Sequence, residues 1–164
     1  MIRSRGMAFA ALLCLAPVLA SAAPKWDLGL RADIFDDNYK LGVGGELGVI
    51  SSANDDWDFG LHLNYNHFAP QTDGWKAAEE FGGYVAAYWK PKIDQAFWLR
   101  LGPHVGYSHV VNHYVDLGGD AMAVFKATPT LDFYAVAVPS FFIGKNAQAM
   151  TRIGLGLEFH AMGP

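Results

Sequence analysis

Between positions 57 and 68 the chain separates by alternate residues. Trp57, Phe59, Leu61, Leu63 and Tyr65 fall on one side, Asp58, Gly60, His62, Asn64 and Asn66 on the other. A period of two is that of an extended strand, whose side chains project to opposite faces in turn. The segment is long enough to cross a bilayer as a tilted strand. The same split recurs along the chain: the apolar side carries no charge, and the polar side holds glycine and ionisable residues of both signs.

Read this way, the sequence predicts eight strands, over 26–35, 40–50, 57–68, 79–90, 96–108, 121–127, 130–143 and 149–159. The joins at 36–38, 51–56, 69–78, 91–95, 111–120, 128–129 and 144–146 are rich in Asp, Asn, Gly, Pro and Lys, the residues that turns favour. An even count lets both ends of a closed sheet finish at one rim. The sixth and seventh segments are the least regular, because Met122, Val124, Val136 and Val138 put apolar residues on both faces. Pro103 and Pro139 lack a ladder donor and are expected to mark bulges.

Residues 1–22 do not follow this pattern. Arg3 and Arg5 precede an apolar run from Met7 to Leu15, too short to span a bilayer, and Ala20, Ser21 and Ala22 form a small-residue cleavage site. That is the plan of a secretory signal, which leaves 23–164 as one domain. The only cysteine, Cys14, lies inside the signal after Leu13, so neither lipid attachment nor a disulfide is expected in the mature chain. Loss of Arg3 and Arg5 takes the formal charge from −4 to −6, two basic residues fewer. An acidic chain is a poor partner for nucleic acid.

Alternation alone does not say which face points inward, since a soluble sandwich or a lipocalin-like barrel shows the same period. Two features favour a membrane barrel. Glycine crowds the polar face, at positions 29, 42, 44, 48, 60, 82, 102, 106, 154 and 156, which suits a narrow interior around a few large polar side chains. Trp26, Trp57, Trp89 and Trp98 all fall at strand ends that share one rim of an up-and-down barrel, as an interfacial girdle would. In pattern and length, residues 26–159 resemble the small eight-stranded outer-membrane barrels of the OmpA and OmpX type. The resemblance implies an all-β, antiparallel, porin-like barrel in a Gram-negative envelope. It also implies contact with outer-membrane lipid and lipopolysaccharide. Members commonly end in an alternating strand with a terminal aromatic that the outer-membrane assembly machinery reads. Here the strand from Ile153 to Phe159 has that form, although the chain continues through His160 to Pro164.

The interior is expected to hold Asp27, Arg31, Asp33, Glu46, Asp58, His62, Glu80, Lys90, Arg100, His104, Lys126, Asp132, Arg152 and Glu158, with Phe159 joining the girdle. A lone charge in a narrow cavity is costly, so arginine forks are expected to pair with carboxylates in a plug that fills the lumen. A sharper reading is a narrow polar path for ions or protons. Some barrels of this size modify lipids, and a lipid A deacylase-like enzyme would need a nucleophile, a histidine and an acid near the rim. The candidates are Ser108 with His104 or His109 and Glu80 or Glu46, but the sequence His-x-Ser-Asn is absent.

His109 and His113 stand four apart with Asp116 beyond, a spacing that meets at a metal on a helix, whereas this segment reads as a loop. No cofactor, metal site or catalytic group is therefore assigned. The stretches 69–78, with Trp75, and 111–120, with Tyr114, are the candidate contacts for an extracellular partner. The expected function is non-enzymatic, in envelope structure or surface interaction. The alternatives are a lipid-modifying barrel enzyme and a soluble periplasmic barrel that binds an apolar ligand.

Overall fold

The computed structural model describes residues 25–35, 39–70, 77–110, 112–145 and 147–160, and of 25, 27, 30–35, 39–41, 70 and 160 it describes the backbone. Residues 1–22, where a signal is expected, Trp75 and residues 161–164 lie outside the described residues. Eight strands form a closed antiparallel barrel in chain order. They are β1 (Lys25–Phe35), β2 (Tyr39–Ser52), β3 (Trp57–Pro70), β4 (Ala78–Trp89), β5 (Phe97–Val110), β6 (Asn112–Thr128), β7 (Leu131–Gly144) and β8 (Gln148–His160). Each strand pairs with its sequence neighbours, and β1 with β8 closes the ring from Lys25 opposite His160 to Phe35 opposite Met150. Closure leaves no open sheet edge.

Side-chain direction follows the two-residue period. Val43, Leu47, Leu63, Phe81, Val105 and Leu155 are exposed on the outer wall, and Leu155 is 69% exposed. Glu46, Asp58, His62, Glu80, Arg100, Asp132, Arg152 and Glu158 are buried inside. The leucine face is outside and the ionisable face inside.

Two aromatic belts ring the outer wall. At the rim where β1 begins and β8 ends, Trp57 pairs with Trp89, Trp26 with Phe159 and Phe125 with Phe133. All six are exposed. Toward the other rim stand Tyr65 opposite Phe81, then Tyr107 and Phe141. From Trp57 to Tyr65, eight residues at a strand rise and the tilt of a small barrel cover roughly 20 Å.

Three expectations are corrected. Residues 112–120 are not a loop but the first half of β6, and the β5–β6 register runs without a break to Val110 opposite Asn112. Tyr114, Asp116 and Asp120 alternate inward while Val115 and Leu117 face out, so residues that read as turn formers are lining the lumen. Pro103 and Pro139 do not mark bulges. Both are exposed on the outer wall, the register does not shift at either, and the shifts lie at Tyr39/Gly42 and Lys126/Thr128. What the missing donors do is interrupt pairing on one side: the β4–β5 ladder lapses between Ala86 opposite His104 and Trp89 opposite Leu101, and the β6–β7 ladder between Gly118 opposite Ser140 and Ala121 opposite Ala137. Finally, Trp98 does not belong to the girdle. It lies on the face of β5 that also carries Arg100 and His104, and its indole packs on the inner cluster of Met122, Val124, Tyr134, Val136 and Val138. That cluster is why the sixth and seventh strands looked apolar on both faces.

Two glycines show how the narrow interior is made. Tyr134 lies opposite Gly156, which in turn lies opposite Gly29. A Cβ at Gly29 would stand 2.6 Å from Tyr134 Oη, and one at Gly156 would meet the ring itself. The tyrosine therefore lies flat across two neighbouring strands that have no side chain there.

Candidate functional site

Among the described residues, the polar groups that fill the lumen come from seven of the eight strands. At the rim where β1 begins and β8 ends, Arg100 donates from Nε to Asp58 Oδ2 at 2.6 Å and from Nη1 to Glu158. Lys90, partly exposed at the mouth, places Nζ 2.7 Å from Asp58 Oδ1, which also accepts from Ser52 Oγ at 2.7 Å. Asp132 is directly opposite Glu158 in the β7–β8 register, both fully buried. Lys126, expected inside, is exposed at this rim, where the β6–β7 register shifts.

In the middle of the barrel, His62 is stacked on Tyr84 with ring centroids 4.7 Å apart, and its Nδ1 lies 3.0 Å from Glu46 Oε1. Tyr84 Oη donates to the other Glu46 oxygen at 2.9 Å. Tyr88 Oη stands 3.0 Å from His62 Nε2 and donates to Asp120 Oδ2 at 2.7 Å. Asp120 Oδ1 in turn lies 2.6 Å from His104 Nδ1. His104 is thus held between two carboxylates, with Asp116 Oδ1 3.2 Å from Nε2.

Above this layer, Arg152 Nη2 donates to Asp116 Oδ2 at 2.7 Å and reaches Glu80 Oε1 at 3.4 Å. Glu80 also accepts from Ser108 Oγ and from Asn66 Nδ2, both at 2.7 Å. The network ends under an apolar lid of Phe68, Ala78, Val110, Tyr114, Phe142 and Met150, all buried. Arg152 joins the two regions, its guanidinium 5.5 Å from the Phe142 ring centroid and 5.9 Å from that of Tyr84. Contacts of this kind stabilise a desolvated cation.

Of the expected lumen residues, Glu46, Asp58, His62, Glu80, Arg100, His104, Asp132, Arg152 and Glu158 occupy the interior. The side chains of Asp27, Arg31 and Asp33 lie outside the described residues. Asp116 and Asp120 were missed because they sat in a supposed loop. Tyr84, Tyr88 and Ser140 carry hydroxyls rather than charge, so a count of ionisable positions passes over them. The two-residue count from Glu80 to Lys90 already puts both tyrosines on the ionisable face.

The serine chemistry is arranged otherwise than expected. Ser108 bonds to Glu80 with no histidine between them, and His109 sits on the opposite face of β5. The serine that meets His104 is Ser140, its Oγ 3.2 Å from Nε2, with Asp120 on the other ring nitrogen. This is the connectivity of a hydrolytic triad. Asp116 shares the same Nε2, however, and all four groups are buried in the lumen beneath the lid, away from the lipid-facing wall. The arrangement supports packing of charge.

No protein-family model and no curated protein matches the chain by sequence. Solved structures do match. Neisserial surface protein A superposes with a TM-score of 0.65 at 10% identity, over 84% of this chain and 96% of its own. Ail, the attachment invasion locus protein of Yersinia pestis, gives 0.55 at 16% identity over 85% and 99%. The fold is that of the small eight-stranded outer-membrane barrels. The outer membrane protein OprG from Pseudomonas aeruginosa matches over 85% of this chain with a TM-score of 0.53 and 11% identity, covering 97% of its own length. At such identities the likeness concerns the backbone, and no residue of the lumen network is carried over from these barrels.

Proposed function

We propose that this chain is a bacterial outer-membrane barrel, exported by a cleaved signal over residues 1–22, that serves envelope structure or surface interaction and is not an enzyme. The observation that carries the reading is the inversion of the two faces. Exposed leucine, valine and phenylalanine cover the outer wall between two aromatic belts, and paired charges fill the inside. An apolar band of about 25 Å between aromatic girdles is what a bilayer requires of a barrel. A soluble barrel that holds an apolar ligand would have the opposite arrangement.

The lumen reads as a plug. Glu46, Asp58, Glu80, Asp116, Asp120 and Glu158 each meet a cation or a hydrogen-bond donor, and an apolar lid closes one end, so water has no continuous polar route. Of the two expected contact stretches, 111–120 is taken up by β6, whose hairpin with β5 closes at Val110 and Asn112, so surface interaction would rest mainly on 69–78, of which residues 71–76 lie outside the described residues. The test is twofold. The mature protein should stay with outer-membrane fractions through a high-salt wash and dissolve only in detergent. Release by salt alone would refute the membrane reading. Lipid A from cells with and without the protein should give the same mass spectrum, whereas an acyl change dependent on Ser140 or His104 would establish an enzyme.

A further inference from the structure

The spacing of His109 and His113 meets at a metal on a helix, but a tight hairpin achieves the same convergence. Residues four apart around such a turn stand directly opposite each other, and His109 is the register partner of His113. Both point to the outer wall at the rim away from the start of β1 and the end of β8; His113 is exposed and His109 partly so. Their ring centroids are 4.8 Å apart and the planes inclined at 49°.

That separation has a chemical meaning. Two imidazoles bound to one ion through nitrogens at about 2.0–2.1 Å, with a bond angle between square and tetrahedral, have ring centroids about 4.5–5.2 Å apart. The observed centroid separation falls within this span. A third group orients the site: Tyr107 Oη is hydrogen-bonded to His113 Nδ1. When Nδ1 carries the proton in this bond, Nε2 keeps its lone pair for an ion, the arrangement of a metal-binding histidine.

We propose that His109 and His113 form a two-histidine site for a divalent transition ion, of the class that prefers imidazole nitrogen: Cu2+, Ni2+ or Zn2+. Among the described residues no group of three or more His, Cys, Asp or Glu side chains is placed to hold a metal, so the protein supplies two ligands and the other positions face outward. The lack of a carboxylate disfavours Ca2+ and Mg2+, which take oxygen donors. Tyr107 is a positioning residue, since it acts through His113.

Cu2+ is the most sensitive probe, because it heads the affinity order for nitrogen sites. Titration of the untagged mature protein in detergent, followed by electron paramagnetic resonance, should show a Cu2+ centre with two imidazole nitrogens. His109→Gln and His113→Gln should each weaken that binding at least tenfold and leave at most one imidazole nitrogen in the spectrum. Tyr107→Phe should weaken it several-fold, in keeping with loss of an orienting partner. His67→Gln should leave it unchanged: His67 is exposed near the same rim, but its β4 register partner is Glu79. Wild-type-like binding in both paired variants, or an equal loss in His67→Gln, overturns the site. If a paired variant fails to fold by circular dichroism, the wild-type spectrum decides alone, and absence of imidazole coupling in it refutes the proposal.

Discussion

Arg100 is fully buried and holds both Asp58 and Glu158, so its removal leaves two carboxylates facing each other with far less compensation. Breaking a buried pair from one side costs about 3–5 kcal/mol. Arg100→Met should therefore lower unfolding stability in lipid vesicles by about that amount, as read from urea midpoints. Replacing Asp58 and Glu158 by Asn and Gln in the same chain should recover part of it. Glycine supplies a second contrast. Gly156→Ala would drive a methyl group into the Tyr134 ring, and overpacking of this kind costs about 1–3 kcal/mol. At Gly45, on the outer wall, the nearest atom to an added Cβ is Gly29 O at 3.5 Å, an ordinary contact. Gly45→Ala should shift stability by less than about 0.5 kcal/mol. Equal losses at the two sites would contradict the assigned faces.

Strands differ in how plainly the sequence declares them. β3 is written almost in full by its alternation, because its outer positions from Trp57 to Tyr65 are large and apolar while its inner ones from Asp58 to Asn66 are Asp, Gly, His and Asn. β6 is not. Its inner positions include Asp116, Gly118 and Asp120, the same residues that make loops, and the usual equation of polarity with solvent fails where the polar face is the buried one. The partners within the lumen were less legible still. Which arginine meets which carboxylate depends on the register across several strands, and a single strand's pattern does not contain that. Trp98 shows the limit from the other side: its place in the chain fits a girdle, yet its parity turns it inward. The outer face of β8 gives the sharpest test at this scale. Leu155→Arg puts a cation near the middle of the lipid-facing wall, where the cost is about 2–4 kcal/mol. Its folding yield in vesicles should fall well below that of Phe159→Arg, one belt nearer the rim, where interfacial water reduces the cost. Matching yields would argue that this wall does not meet lipid.

As a whole, the molecule is a cylinder closed by the pairing of its first strand with its last, around an interior filled by ion pairs and capped by the Phe68 and Phe142 cluster. In planar bilayers the wild-type protein should give no current steps, and a reproducible conductance would show that the plug opens. The seam has a consequence of a different kind. Every residue of β1 has a partner in β8, so a ladder as regular as any hairpin joins parts of the chain more than a hundred positions apart. Contacts at such separation come late in folding, and until then β1 offers an unsatisfied edge. Once the ring is complete, its two ends lie at the same rim, side by side, as neighbouring strands joined by a turn do. The order of the strands around the ring then has no privileged beginning. A short peptide linking residue 160 to residue 25, with new ends opened in the turn at 53–56, would trace the same cylinder from a different start.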